Sequence, residues 1–444
     1  MKQLLSIIVC SVCCGVTAAQ TYTLEQLKDS ALQNNIAIRS ARHSIDAAKQ
    51  QRKEAFTKYF PNISGTGLWF NANKGMAQTS INPSEVIPSS LAPVLAQALP
   101  AEALMALANP ISISMMKNGT IAGVTAVQPV FAGGQIINGN RLAKIGEDVS
   151  RLQLQLSENE VEKTTEQYYW QLVTLEEKKH TVEAVETLLA DIAKDVDVAV
   201  RAGVALRNDL LQVQLRQNDV ESQKLKLQNG ISILKLLLSQ YCGLRDTSFT
   251  VNVADYSETL PERQDHQQAL FSTSEYQLLG KQVEAANLQK KLTIGQNLPT
   301  IGVGAGYNYH NLLDNDHTFG MIFATVNVPI SDWWGGSHAI KRKKIELQKA
   351  EEQLTDNSEL LKIRMQKAWN DVDEASQQLA LTKRSIKQAE ENLRLNQNYY
   401  KAGTVRMSDL LEAQLLYQQA RDKHTDAFAD YQNKLLEYRL STGR

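Results

Sequence analysis

The stretch VAVRAGVALRNDLLQVQ returns 200 positions later as YYKAGTVRMSDLLEAQ. The offset holds well beyond this turn. Pro129 matches Pro329, Gly203 matches Gly403, Asp209 matches Asp409, Leu210-Leu211 match Leu410-Leu411, Gln214 matches Gln414 and Gly243 matches Gly443. Gly133-Gly134 match Gly335-Gly336 after a shift of two. A spacing kept over this distance marks a two-fold internal repeat. Upstream the spacing widens: Pro61 corresponds to Pro299, so 238 − 200 = 38 additional residues lie in the first copy. They fall between about Asn73 and Lys117, a Pro-, Ser- and Ala-rich segment that reads as one inserted loop with a few helical turns. Pro93, Pro100, Pro110 and Glu102 argue against a membrane-spanning helix there.

Each copy has the same predicted order of helix, strand pair, long helix, tight turn and shorter helix. Helix-forming composition without internal proline predicts helices over Leu24–Lys58 and roughly Asp265–Asn297. Longer helices are predicted over Gln135–Arg201 and Ser337–Lys401, and shorter ones from Asn208 to Tyr241 and beyond Asp409. Apolar positions alternate by three and four at Leu142, Ile145, Val149, Leu152 and Leu156, at Val182, Val185, Leu189, Ile192 and Val196, and again at Leu410, Ala413, Tyr417 and Ala420. This is a coiled-coil seam, narrower than a globular face. At 1.5 Å per residue the long helices reach about 100 Å and the short ones about 50 Å, so two short helices end to end match one long one. A compact globule has no use for such rods; a tubular bundle has.

Between Pro61 and Pro129 lie ISGTGLWF and IAGVTAVQPV, and between Pro299 and Pro329 lie IGVGAGYNYH and FGMIFATVNV. Uncharged segments of about ten residues with Gly and Tyr among apolar residues resemble strands of an outer-membrane barrel. Four strands cannot close, because about eight is the smallest filled barrel. Open edges in a membrane leave backbone groups unsatisfied. The missing strands must come from other copies, and three chains would supply 3 × 4 = 12.

The opening MKQLLSIIVCSVCCGVTAAQ has a basic residue, an apolar run and small residues before Gln20, which is the layout of a secretory signal over residues 1–19. Cys10, Cys13 and Cys14 leave with it, so Cys242 alone remains and no internal disulfide forms. With 47 basic and 48 acidic residues the chain has no charge excess suited to nucleic acid.

The duplicated turn, the Pro-flanked strand pairs and the leader together resemble the TolC-type outer-membrane efflux protein family across essentially the whole mature chain. The resemblance implies a mixed α and β fold: a long-helix α-barrel, or tunnel, joined to a transmembrane β-barrel with four strands per chain, closed as a homotrimer. After the leader, residues 20–243 form the first repeat and 244–444 the second, interleaved in one barrel and one tunnel. It also implies a passive exit duct in the outer membrane with a periplasmic extension, coupled by a periplasmic adaptor to an inner-membrane transporter. Arg201, Gly203, Lys401 and Gly403 would lie at adaptor-facing hairpin tips. Asp409 and Glu412 match a family ring of acidic side chains that narrows the tunnel entrance. Their spacing of three puts both on one helical face, Asp209 is the first copy's equivalent, and Gln212 stands where the second copy has Glu412.

Other readings stay open. Asp409 and Asp209 can simply complement a helix N-terminus, and Gly203 and Gly403 can simply end a helix. Trp69, Trp333 and Trp334 suit a membrane–water boundary or a packing role at the barrel–tunnel junction. Gly302, Gly304 and Gly306 form GVGAG, strand glycines rather than a nucleotide loop. The seven histidines are scattered, with His310 and His317 flanking an expected hairpin loop. No metal site, cofactor or catalytic constellation is expected. The competing function is a periplasmic coiled-coil scaffold or adaptor that never enters a membrane.

Overall fold

The computed structural model describes residues 20–252, 260–312 and 315–443; the expected leader lies outside them. The chain runs β1 (Thr21–Tyr22), α1 (Leu24–Asn34), α2 (Ile36–Thr57), β2 (Asn62–Asn71), β3 (Ala77–Ile81), the short α3 (Pro83–Val86), α4 (Ala92–Ala98) and α5 (Ala101–Ala108), then β4 (Ile111–Met115), β5 (Asn118–Ala132), α6 (Gln135–Arg201) and α7 (Arg207–Cys242). It continues with β6 (Thr250–Val251), α8 (His266–Ser272), α9 (Ser274–Gln296), β7 (Thr300–His310), β8 (His317–Asn327), α10 (Asp332–Lys401) and α11 (Met407–Ser441). The mixed fold of long helices and four ladder strands is the one expected.

Several local expectations are corrected. The single helices expected over Leu24–Lys58 and Asp265–Asn297 are each two helices, broken at Asn35 and Thr273. Both residues have extended backbone (ψ 137° and 138°). Asn35 Oδ1 accepts from Ala37 N at 2.8 Å, and Thr273 Oγ1 accepts from Tyr276 N at 3.4 Å. Each therefore caps the helix that follows. The two breaks are 273 − 35 = 238 positions apart, the offset of Pro61 and Pro299, so the break itself is duplicated. The expected insertion loop holds an antiparallel pair, β3 with β4, around three short helices. α10 begins at Asp332 rather than Ser337 and runs through Gly335 and Gly336. The matched Gly133 and Gly134 instead adopt positive φ before α6.

The chain forms two compact units that cut across the repeats. One takes the described residues up to Lys49, Gly146–Glu284 and Lys349 onward; the other takes Gln50–Ile145 and Ala285–Gln348. In the helical unit the seam positions are the core: Val182, Val185, Leu189, Val196, Val213, Met407, Leu410 and Ala413 are all buried in one cluster. A second cluster surrounds Trp170, Tyr169 and Leu27, all fully buried. The short parallel pair β1–β6 seats Tyr22 edge-on against buried Phe249, with ring centroids 5.7 Å apart. Beside this core Lys28 Nζ meets Glu166 Oε2 at 2.6 Å, with side chains only 11% and 3% exposed. Glu166 Oε1 also accepts from Trp170 Nε1 at 3.3 Å.

Burial pushes the Cys242 thiol up to about 12, against an opposing hydrogen bond from Thr165. A thiol so protonated is inert. Native protein should therefore take up no thiol-directed reagent over hours, with stoichiometric labelling only after unfolding. Fast labelling of native protein would contradict the burial.

In the second unit the sheet order is β2-β5-β7-β8, every neighbour antiparallel. β2 and β5 are the first copy's pair, β7 and β8 the second's, and β5–β7 joins them. Pro129 is tolerated inside β5 because the register slips there, between Pro129 and Phe131. A bulge is where a strand can accommodate a residue without N–H.

Candidate functional site

Two surfaces carry the functional expectations: the faces of the sheet and the two helical tips. Successive strand residues point to opposite faces, and the pairing register aligns them across the sheet. One face collects Ile63, Gly65, Trp69, Ala122, Val124, Ile301, Val303, Tyr307, Ile322 and Val326. Ile322 is 90% exposed and Trp69 71% exposed. The other face mixes Asn62, Ser64, Thr66, Thr125, Asn308 and His310 with Leu68, Ile121, Val127, Met321 and Phe323, the last packed over Gly304. None of the four strands contains Asp, Glu, Lys or Arg. An apolar face opposite a mixed one, in uncharged strands of this length, fits a transmembrane barrel wall.

Trp69 stands on the apolar face. Trp333 and Trp334 open α10, where Trp333 Nε1 donates to Asn297 O at 3.0 Å and Trp334 is largely exposed. Sequence reading missed a second aromatic group, Phe56, Tyr59 and Phe60 at the end of α2. Their ring centroids lie 5.6 Å apart in the two Phe56 pairs, and all three are exposed. The F-x-x-Y-F run just before Pro61 was the available signal.

The tips are built alike. α6 ends at Arg201 and α10 at Lys401, and two residues later Gly203 and Gly403 have φ of +74° and +73°. A Cβ at either would meet nothing within 4 Å, so conformation alone demands glycine there. Val204 N donates to Ala199 O and Thr404 N to Tyr399 O, both at 2.9 Å, closing each helix end. The next helices start with no side-chain bond from Leu206 or Arg406. Instead Asp209 Oδ2 accepts from Leu206 N at 3.2 Å and Asp409 Oδ2 from Arg406 N at 3.1 Å. This is the returning half of a capping box. Asp409 Oδ1 also accepts from the Ser408 hydroxyl at 3.2 Å. Glu412 is exposed and has no partner among the described residues.

A cleft of about 1080 Å³ opens between the tips, lined by Asp191, Asp195, Asp209, Lys401, Gly403 and Arg406 among others. Arg201 and Gly203 do not line it; Arg201 pairs with Asp197 at 2.6 Å. Below the cleft Arg216 ties the two hairpins together. Its Nε donates to Gln414 Oε1 at 3.0 Å and its Nη2 to Gln418 Oε1 at 2.8 Å. Burial pushes the Arg216 guanidinium below its ordinary range, with Asp219 opposing. Gln414 is fully buried. This link was not read from sequence, although Gln214 and Gln414 were matched, because the repeat has Leu416 where the first copy has Arg216.

No curated protein matches the chain in sequence. Residues 267–444 match the family described as "Outer membrane efflux protein". Among solved structures, the outer membrane protein VceC from Vibrio cholerae superposes with a TM-score of 0.73 at 16% identity, covering 95% of this chain and 96% of that one. The CmeC outer membrane channel of Campylobacter jejuni gives 0.76 at 14% identity, over 95% and 85%. The MtrE outer membrane channel of Neisseria gonorrhoeae, in its open state, gives 0.70 at 14%, over 95% and 88%. At such identities the superpositions establish the fold, and the family match covers the second repeat. The C-terminal part of the chain thus resembles the outer membrane efflux protein family, and the TolC-type resemblance read from its sequence holds over 95% of its length as fold.

Proposed function

We propose that three copies of this chain close into one passive outer-membrane exit duct, whose periplasmic mouth meets an adaptor that links it to an inner-membrane transporter. The observation that carries this is the pair of unpaired sheet edges. β2 and β8 are 10 and 11 residues long, uncharged, and without a partner on their outer sides among the described residues. Soluble proteins blunt such edges with charge or short strands, and hydrocarbon forbids them. Joining β8 of one copy to β2 of the next removes both, and 3 × 4 = 12 strands exceed the closure minimum. Ten residues at about 3.4 Å rise, tilted about 45°, reach about 24 Å, the height of an outer-membrane apolar band. Trp69 on one side and Trp333, Trp334 and the Phe56–Phe60 aromatics on the other suit its two boundaries.

The duct uses no cofactor and performs no reaction; the partner supplies the energy. Arg201, Gly203, Lys401 and Gly403 at the tips form the adaptor-facing surface. Glu412, with Asp409 and Asp209, narrows and charges the mouth, and three-fold symmetry turns single carboxylates into a ring favouring cations. Asp409 is held by its own helix start, whereas Glu412 is exposed and without such bonds among the described residues. In planar bilayers Glu412→Gln should lower the cation preference by about twofold or more, with Asp409→Asn doing less. An unchanged preference in Glu412→Gln eliminates the acidic collar. Extraction separates the duct from a periplasmic scaffold: the duct needs detergent and migrates as a trimer, whereas a scaffold appears in the soluble periplasmic fraction.

A further inference from the structure

The turn between β7 and β8 brings together two histidines that stand 317 − 310 = 7 positions apart in sequence. His310 and His317 are direct partners at the end of the β7–β8 ladder, so both imidazoles leave the same face. Their ring centroids are 5.4 Å apart with planes inclined at 44°. Phe319 backs the pair, stacked with His317 at 6.1 Å and edge-on to His310 at 6.1 Å. Nδ1 of His310 is buried and has no hydrogen-bond partner among the described residues.

The backbone that carries the pair is clamped on both sides. Asn311 Oδ1 accepts from Thr120 N at 2.6 Å, and Asn311 N donates to Thr120 O at 3.1 Å. The Tyr309 hydroxyl donates to Asp316 Oδ1 at 2.7 Å. That bond engages Asp316 with Tyr309, whose side chain points to the opposite face, so among the described residues the donors facing the pair are two imidazoles. Imidazole suits Cu²⁺, Ni²⁺ and Zn²⁺, whereas Ca²⁺ and Mg²⁺ take oxygen. With metal–nitrogen bonds of about 2.0–2.1 Å and each ring centroid about 1.1 Å behind its nitrogen, two imidazoles on one tetrahedral cation stand about 5 Å apart. The observed spacing meets that without moving the strands.

We propose that His310 and His317 form a two-imidazole chelate for a divalent first-row transition cation, with water completing the shell. The proposal rests on the hairpin alone and survives or fails independently of the duct reading. Full-length detergent-purified protein titrated with Cu²⁺, Ni²⁺ or Zn²⁺ alone should bind one ion per chain, Cu²⁺ most tightly. The bound Cu²⁺ should show two nitrogen ligands by electron paramagnetic resonance. Losing an outer-shell partner already costs about 10–100-fold in affinity, so His310→Ala or His317→Ala should each cost at least about tenfold. His338→Ala in α10 should cost nothing. A second measurement needs no variant: bound Zn²⁺ should protect both His310 and His317, located by mass spectrometry, from histidine-directed acylation. Undiminished binding in the His310→Ala/His317→Ala double variant, or equal acylation with and without metal, overturns the proposal.

Discussion

Replacing Gly133 or Gly295 by alanine should abolish the folded β-bearing unit, the most severe loss expected of any single methyl group in this chain. Gly133 turns the chain from β5 into α6 at φ +59°, and a Cβ there would strike the carbonyl oxygen of Gly295, the second-last residue of α9. The reverse is also true: a Cβ on Gly295 would strike the carbonyl oxygen of Gly133. The obstacle on both sides is backbone, so no rotamer change relieves it. Positive φ adds about 1–2 kcal/mol for any side chain at Gly133. Two neighbours make internal controls. Gly134 also has positive φ, but its Cβ would meet only Asn138 Nδ2 at 3.4 Å, so Gly134→Ala should show the conformational cost alone. Gly139 lies inside α6 with nothing within 4 Å, and Gly139→Ala should stabilise by up to about 1 kcal/mol. Yield of detergent-extracted folded protein and its unfolding midpoint rank the series. Wild-type yield from Gly295→Ala would refute the backbone contact.

Removing Lys28 should be nearly as damaging, for an electrostatic reason. Lys28→Met leaves Glu166 buried with its nearest cation gone, since Arg439 stands off at 3.8 Å. Stranding one partner of a buried pair costs about 3–5 kcal/mol, yet replacing both by apolar residues of similar volume is often neutral. The expected pattern is therefore non-additive: Lys28→Met and Glu166→Met each lower the midpoint sharply, and the double variant recovers most of the loss. A double variant as unstable as the sum of the singles would show that the pair is uncoupled. The pair sits among α1, α6 and α11, so its loss loosens the helices that hold the duplicated halves together.

What could be read from the sequence divides along physical lines. Periodic signals survived: the three-and-four seam through Val182, Val185, Leu189 and Val196 is the buried core, and the ten-residue uncharged segments are the four strands of one sheet. Conformational demands survived too, since Gly203 and Gly403 repeat because the same left-handed turn repeats. Breaks set by one polar side chain did not. Asn35 and Thr273 interrupt helices whose composition is continuous, and only their spacing of 238 betrayed them. Two-residue pairing such as Thr21–Tyr22 with Thr250–Val251 has no period to detect. Contacts between distant residues were also hidden. Lys28 and Glu166, or Arg216 and Gln418, become partners only once the helices are laid side by side. Asp409 was read as either cap or collar, and its bonds to Arg406 and Ser408 show the capping chemistry while leaving Glu412 free.

The open flanks of the sheet have a consequence for the journey of the newly made polypeptide. A subunit whose left border fits the right border of its twin is a heterologous building block, and such blocks end as rings or as endless fibres according to the turn made at each addition. In the proposed three-copy duct the twist of the four-stranded ladder would set that turn, placing stoichiometry in curvature rather than in a separate recognition motif. On that reading a lone copy would carry two adhesive ribbons until its ring shut, the kind of surface that holdases cover.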